Sequence, residues 1–255
     1  VWMMLGKSTI WLGAMALCAG LLGGASPHAD EAKRILVFGD SNSWGWKAKL
    51  EAFPVERFGD DERWAGVMAT ALGEDYTVIV DGLNGRTTDL DFGEDLGALA
   101  AEDFNGAKDL PEVLAKNLPL DLVVVMLGTN DAQAQFDRNA DQVAQGAMHL
   151  VDIVRNINGG VLTTYGTPKV LLVTPPPMGD ISKTPLSANM AGGVEISQQF
   201  ADAFDRAAKL ANVPVFDAGS VIGTSGVDGI HFTAEEHAIL GKAVAKQIEA
   251  GVLVN

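Results

Sequence analysis

The chain has 255 residues, with 33 acidic and 18 basic side chains and a formal net charge of −15. This length suits one α/β domain with a sizeable core and is short for two. An acidic surface repels phosphate, so we expect no nucleic-acid binding and no stable membrane association. The single cysteine, Cys18, rules out an internal disulfide, and with four histidines and no HExxH or CxxC pattern we expect no zinc site.

The first thirty residues have the pattern of a secretory signal peptide. Lys7 precedes an uncharged, largely apolar stretch over Ser8–Pro27 that ends in small residues. We therefore predict a signal peptide over residues 1–29, one folded domain over residues 30–255, and a secreted or periplasmic protein. The alternatives are an uncleaved anchor, for which the apolar run is short, and a cytoplasmic protein.

Five short apolar runs predict strands, and helical patterns separate them. The predicted strands are Arg34–Phe38, Tyr76–Val80, Leu122–Leu127, Lys169–Thr174 and Val213–Phe216. The predicted helices are Glu62–Leu72, Leu110–Leu118, Asp141–Ile157, Glu195–Ala211 and Ala234–Glu249. The third run, LVVVML, is apolar without alternation, which is typical of a strand covered on both faces. The alternation predicts an α/β fold, a doubly wound, flavodoxin-like sandwich around a five-stranded parallel sheet.

Polar and glycine-rich segments follow the predicted strands. Ser41 comes after the first strand, Gly85 after the second, GTND at 128–131 after the third, and DGIH at 228–231 after the fifth. Ligands of open α/β sheets bind beyond the carboxyl ends of the strands. We therefore expect these segments to form one site.

A serine hydroxyl is a weak nucleophile and needs a general base. Elimination selects His231 as the base for Ser41. The other histidines lie in the leader, inside a long helix and in the first turns of the last helix: His28, His149 and His237. Asp228, three residues before His231, could orient its imidazole, and Asp217 at the end of the fifth strand is an alternative.

An ester hydrolase also needs donors for the oxyanion. The backbone N–H groups of Ser41 and Gly85 and the side-chain amide of Asn130 are the candidates. Glycine lets a substrate approach its amide closely.

These segments resemble the conserved blocks of the SGNH, or GDSL-type, hydrolases. Gly39-Asp40-Ser41 resembles the first block, Gly85 the second, GTND the third and DGIH the fifth, with Asn42 where the name-giving motif has Leu. Longer stretches, among them GLNGRTT at 82–88 and LPLDLVVVMLGTND at 118–131, are similar to an arylesterase/acyltransferase subfamily.

The resemblance implies a serine esterase that hydrolyses short-chain acyl and aryl esters through an acyl-Ser41 intermediate, transfers acyl groups to alcohols and performs perhydrolysis, without metal or cofactor. It favours Asp228 over Asp217 and implies a homo-oligomer, an octamer. It implies that Trp46 lines a small acyl pocket, with Thr129 and Met178 as further wall residues. The alternatives are a carbohydrate O-acetylesterase, a thioesterase or lysophospholipase of the same fold, and a binding protein on a hydrolase scaffold.

Overall fold

A five-stranded parallel sheet forms the centre of the computed structural model, which describes residues 32–50, 53–224 and 226–253. The predicted signal peptide lies outside these residues. In the described residues the strands are β1 (Lys33–Gly39), β2 (Trp46–Lys47), β3 (Glu56–Arg57), β4 (Tyr76–Gly82), β5 (Leu122–Met126), β6 (Lys169–Thr174) and β7 (Val215–Asp217). The sheet order is β4-β1-β5-β6-β7, all neighbours parallel, while β2 and β3 form a separate antiparallel pair. This is the predicted flavodoxin-like order, and every predicted strand is present.

Helices cover both faces of the sheet. They are α1 (Ser41–Trp44), α2 (Trp64–Leu72), α3 (Gly106–Asn117), α4 (Ala140–Asn156), α5 (Gly193–Ser197), α6 (Phe200–Ala211) and α7 (Ala234–Gln247). Side chains alternate along each strand, so Leu36 and Phe38 pack with α3, α4 and α6, whereas Ile35 and Val37 pack with α2 and α7. Burial on both faces explains the unbroken apolar run of β5.

Two predicted helices differ from the structure. The helix predicted to begin at Leu110 begins at Gly106, because the side chain of Asn105 accepts hydrogen bonds from the N–H groups of Ala107 and Lys108. Pro111 therefore lies inside the helix rather than in its first turn.

The helix predicted over Glu195–Ala211 is two helices, α5 and α6, separated at Gln198 and Gln199. Within the described residues, no helix is long and apolar enough to span a bilayer.

Candidate active site

A sharp turn at the carboxyl end of β1 carries Ser41. The strand ends at Gly39, where an added Cβ would lie 2.2 Å from the hydroxyl oxygen of Ser43, so the turn has no room for a larger residue. Asp40 caps α1 by accepting a hydrogen bond from the N–H of Asn42. Burial, with the carboxylate of Asp131 nearby, raises the pKa of Asp40 to about 7.

Ser41, His231 and Asp228 form one hydrogen-bonded chain. The distance between Ser41 Oγ and His231 Nε2 is 2.9 Å, and that between His231 Nδ1 and Asp228 Oδ2 is 2.7 Å. All three side chains are buried. The arrangement lets the imidazole accept the serine proton while the carboxylate fixes its tautomer.

The turn that carries His231 also binds the second oxygen of Asp228. Oδ1 accepts hydrogen bonds from the N–H groups of Ile230, at 3.0 Å, and His231, at 2.8 Å. Burial works to raise the pKa of Asp228, but the hydrogen bonds and charge of His231 outweigh it and hold that pKa below its usual range. Asp217, the alternative partner, instead accepts from the N–H of Gly219 and caps a short turn.

The expected oxyanion donors lie together beside Ser41. Ser41, Gly85 and Asn130 line the same cavity, and among the described residues the backbone N–H groups of Ser41 and Gly85 meet no acceptor. Gly85 has a φ of +84°, a conformation that favours glycine. Asn130 Nδ2 donates to the carbonyl of Arg86 at 3.0 Å, which leaves its second N–H for a ligand.

A relay of side-chain amides fixes the orientation of Asn130. Gln135 Nε2 donates to Gln133 Oε1 at 2.9 Å, and Gln133 Nε2 donates to Asn130 Oδ1 at 3.3 Å. The oxygen of Asn130 is therefore occupied, and its NH2 group faces the loop that contains Gly85.

Two buried charged residues hold that loop in place. The guanidinium of Arg86 donates to Gly39 O, Asp81 and Asp109. Asp131 accepts from the N–H and hydroxyl of Thr88, and burial raises its pKa to about 6. Together these contacts connect the ends of β1, β4 and β5, from which the expected oxyanion donors come.

A cavity of about 420 Å³ opens over Ser41 and His231. This volume is in the range of small-molecule sites. Trp46 lies in its wall and stacks on the imidazole of His231 with ring centroids 4.7 Å apart. Thr129 and Met178 are both buried, but neither lines this cavity. Met178 instead packs in the core beneath α5, so the structure does not place these two residues in the pocket wall.

We find no metal-binding cluster in the part of the chain that the structure describes. No group of three or more His, Cys, Asp or Glu side chains there is arranged to hold a metal ion.

The model of the GDSL-like lipase/acylhydrolase family matches residues 37–239 of the chain. The chain belongs to this family. The matched range includes the Ser41 turn, the Gly85 loop, the segment around Asn130 and the turn with Asp228 and His231. No curated protein matches the chain significantly.

Several solved structures are similar to this chain over almost their whole length. An aryl esterase from M. smegmatis is 47% identical, with a TM-score of 0.81, over 86% of this chain and 99% of that one. A carbohydrate acetylesterase from Sinorhizobium meliloti is 41% identical, with a TM-score of 0.80, over 86% and 99%. A second carbohydrate acetylesterase family member from the same organism is 36% identical, with a TM-score of 0.77, over 87% and 99%. This GDSL-like hydrolase is accordingly a carboxylic ester hydrolase.

Sequence reasoning missed several residues that organise the site of this GDSL-like hydrolase. Arg86, Thr88 and Asp131 lie within the quoted motifs, but Arg86 pairs with Asp109, 23 positions away, and Thr88 pairs with Asp131, 43 positions away. His237, which the sequence places in the first turns of the last helix, is buried, and its Nδ1 accepts a hydrogen bond from the N–H of Trp64. Burial, which opposes a charged imidazole, lowers its pKa to about 4.

Proposed function

We propose that the protein is a serine esterase that hydrolyses short-chain acyl esters, including aryl esters, with Ser41 as nucleophile, His231 as general base and Asp228 as its orienting carboxylate. The observation that carries the proposal is the unbroken hydrogen-bonded chain from Ser41 Oγ through the imidazole to Asp228, at the floor of an open cavity. Ser41 and His231 are 190 positions apart in the sequence, and the fold brings them into hydrogen-bond contact.

The first half of the reaction acylates Ser41. Nε2 of His231 takes the hydroxyl proton as Oγ attacks the ester carbonyl, and the resulting imidazolium is stabilised by Asp228. The carbonyl oxygen gains negative charge and accepts hydrogen bonds from the N–H groups of Ser41 and Gly85 and from Asn130. When the C–O bond breaks, the imidazolium returns its proton to the leaving alcohol.

The second half releases the acid. Water enters, His231 removes its proton, and the hydroxide attacks the acyl carbonyl held by the same donors. Collapse of this intermediate breaks the bond to Ser41 Oγ, which takes back the proton from His231. No other group needs to gain or lose charge, since Asp228, with its lowered pKa, stays ionised throughout.

The acyl group is short because aromatic side chains crowd the reacting atoms. Trp46 stacks on His231, and Phe53 packs edge-on against Trp46 with ring centroids 5.8 Å apart. We therefore expect an acetyl or propionyl group to fit beside these rings, whereas a long chain would have to displace them.

Two measurements test this proposal. A p-nitrophenyl alkylphosphonate should inactivate the enzyme, and peptide mapping should find the adduct on Ser41. Rates with p-nitrophenyl acetate, butyrate and octanoate should fall with chain length. A label on another residue would overturn the nucleophile, and a preference for octanoate would favour the thioesterase or lysophospholipase alternative.

A second candidate substrate is an acetylated carbohydrate. Four amide side chains join Asn130 around the cavity and would pair with the hydroxyl groups of a sugar leaving group: Asn84, Gln133, Gln135 and Asn189. Two of the similar structures are a carbohydrate acetylesterase and a carbohydrate acetylesterase family member. Comparing kcat/KM for acetylated xylose with that for phenyl acetate decides between the two leaving groups.

Acyl transfer to alcohols and perhydrolysis belong to the same proposal. The cavity wall includes apolar side chains, namely Phe92, Leu96 and Met190, against which an alcohol would pack better than water. Transesterification of vinyl acetate with benzyl alcohol in water, and peracetic acid formation from hydrogen peroxide, are the direct assays.

Export and assembly are also proposed. Residues 1–29 carry the signal-peptide pattern. Fractionation of the expressing cell and N-terminal sequencing of the product test export, and light scattering tests for an octamer.

A further inference from the structure

Asn42 occupies the position that follows the nucleophile, where the name-giving motif of the family has Leu. Asn42 is 2% exposed, and its side chain lies between the Ser41 turn and the turn that carries His231. Asn42 Oδ1 accepts a hydrogen bond from the N–H of Phe232 at 3.2 Å, and Nδ2 donates to the carbonyl of Ile230 at 3.3 Å.

These two hydrogen bonds lie on either side of His231 along the chain. Ile230 and Phe232 are the chain neighbours of His231, so the amide of Asn42 binds the backbone on both sides of it. One residue of a parallel strand makes the same pair of hydrogen bonds with a neighbouring strand. The side chain of Asn42 therefore makes the hydrogen bonds that a strand backbone would make, at a point where the backbone of α1 has turned away from the sheet.

We propose that Asn42 is a positioning residue that sets the distance between Ser41 and His231. The nucleophile is its chain neighbour, and the base lies between its two hydrogen-bond partners, so the amide closes a short ring that contains both reacting groups. Asp228 fixes the imidazole within its own turn, whereas Asn42 fixes that turn relative to the nucleophile. A leucine would fill the space but could make neither hydrogen bond.

This inference rests on the proposed function, because a distance between Ser41 and His231 matters only where the imidazole takes the serine proton. Small displacements of catalytic groups are costly: a misplacement of about 1 Å lowers rates roughly 100-fold. The effect should appear in kcat rather than in KM, since Asn42 is not among the residues that line the cavity.

The test compares wild type, Asn42→Leu and Asn42→Asp. A matched control is Asn117→Leu, because Asn117 also bonds backbone, donating to the carbonyl of Val113 at 2.8 Å, but lies at the end of α3. Steady-state rates with p-nitrophenyl acetate, the rate of phosphonate labelling and the thermal midpoint are measured for each. The downfield NMR signal of the His231 Nδ1 proton reports the bond to Asp228 separately.

We expect Asn42→Leu to lower kcat and the labelling rate together by about 10- to 100-fold, with KM changed less than about threefold. The Nδ1 proton signal should persist, since its two partners lie in one turn. Asn117→Leu should keep wild-type kcat. A lower thermal midpoint with unchanged kcat per folded molecule would show a merely structural role and overturn the proposal.

Asn42→Asp decides the matter if the leucine variant does not fold. It keeps the volume and the acceptor for Phe232, but sets an oxygen against the carbonyl of Ile230, so kcat should fall as well. Wild-type kcat in this variant would contradict the inference while leaving the esterase intact. A wild-type protein that neither turns over esters nor labels would instead overturn the proposed function, and this inference with it.

Discussion

Trp46 stacks on the imidazole of His231 with the two ring planes 13° from parallel and the centroids 4.7 Å apart. The contact leaves both imidazole nitrogens free for their in-plane partners, Ser41 on one side and Asp228 on the other. The indole thus covers one face of the proposed base and also forms part of the cavity wall, so in the proposed mechanism one side chain affects both the orientation of the imidazole and the selection of the acyl group.

Shortening this side chain should change chain-length preference. In Trp46→Leu the cavity gains volume next to Ser41, so kcat/KM for p-nitrophenyl octanoate should rise relative to acetate by roughly tenfold or more, the scale at which pockets discriminate methylene groups. The ratio is the useful quantity, because loss of the stacking contact lowers both rates. An unchanged ratio would place the acyl group elsewhere in the cavity.

The pairing of His231 with Asp228 predicts unequal effects of two similar substitutions. Asp228→Asn keeps the shape but favours the wrong imidazole tautomer, and kcat should fall by about 10⁴-fold. Asp217→Asn is the matched control, since Asp217 bonds the N–H of Gly219, and it should retain wild-type kcat. The reverse result would make Asp217 the functional carboxylate.

The amide of Asn130 should act in the transition state. Asn130→Ala removes one donor to the oxyanion, and kcat should fall by about 10²- to 10³-fold with little change in KM. Asn117→Ala, which removes an amide far from the cavity, provides the control. An effect confined to KM would mean that Asn130 binds the ground state only.

Asp40 should make stability depend on pH. Burial raises its folded-state pKa from 3.8 to about 7, so between these values the folded protein holds a proton that the unfolded chain has lost. The free energy of unfolding contributed by Asp40 therefore decreases as pH rises from about 4 to about 7.

The neutral isostere Asp40→Asn keeps an acceptor for the N–H of Asn42 and removes this dependence. Urea unfolding at pH 5 and pH 8 measures it: the variant should lose less stability at pH 8 than wild type does. An equal loss in both proteins would mean that Asp40 is already ionised at pH 5.

Much of the fold and the central groups of the site could be predicted from sequence, for local reasons. The apolar runs mark strands buried on both faces, and Asp228 and His231 lie three residues apart, so one turn presents both. The parallel sheet then brings the residues after each strand, such as Ser41 and Asn130, to one edge.

The features that could not be predicted depend on contacts between segments that are distant in the sequence. Nothing near Asn42 in sequence indicates that its amide binds the backbone around His231, 188 to 190 positions away. The apolar pattern predicts the start of α3 four residues too late, because the side chain of Asn105 caps the helix ahead of that pattern. Thr129 and Met178 follow strands, as wall residues should, yet their side chains are buried outside the cavity.

The most direct test of the account is hydrolysis of p-nitrophenyl acetate by wild type and Ser41→Ala, measured side by side after both are shown to be folded. The account predicts rapid turnover by wild type and a loss of about a millionfold in kcat in the variant, the scale measured for nucleophile removal in another serine hydrolase. Substantial activity in Ser41→Ala would contradict the assignment of Ser41 as the nucleophile.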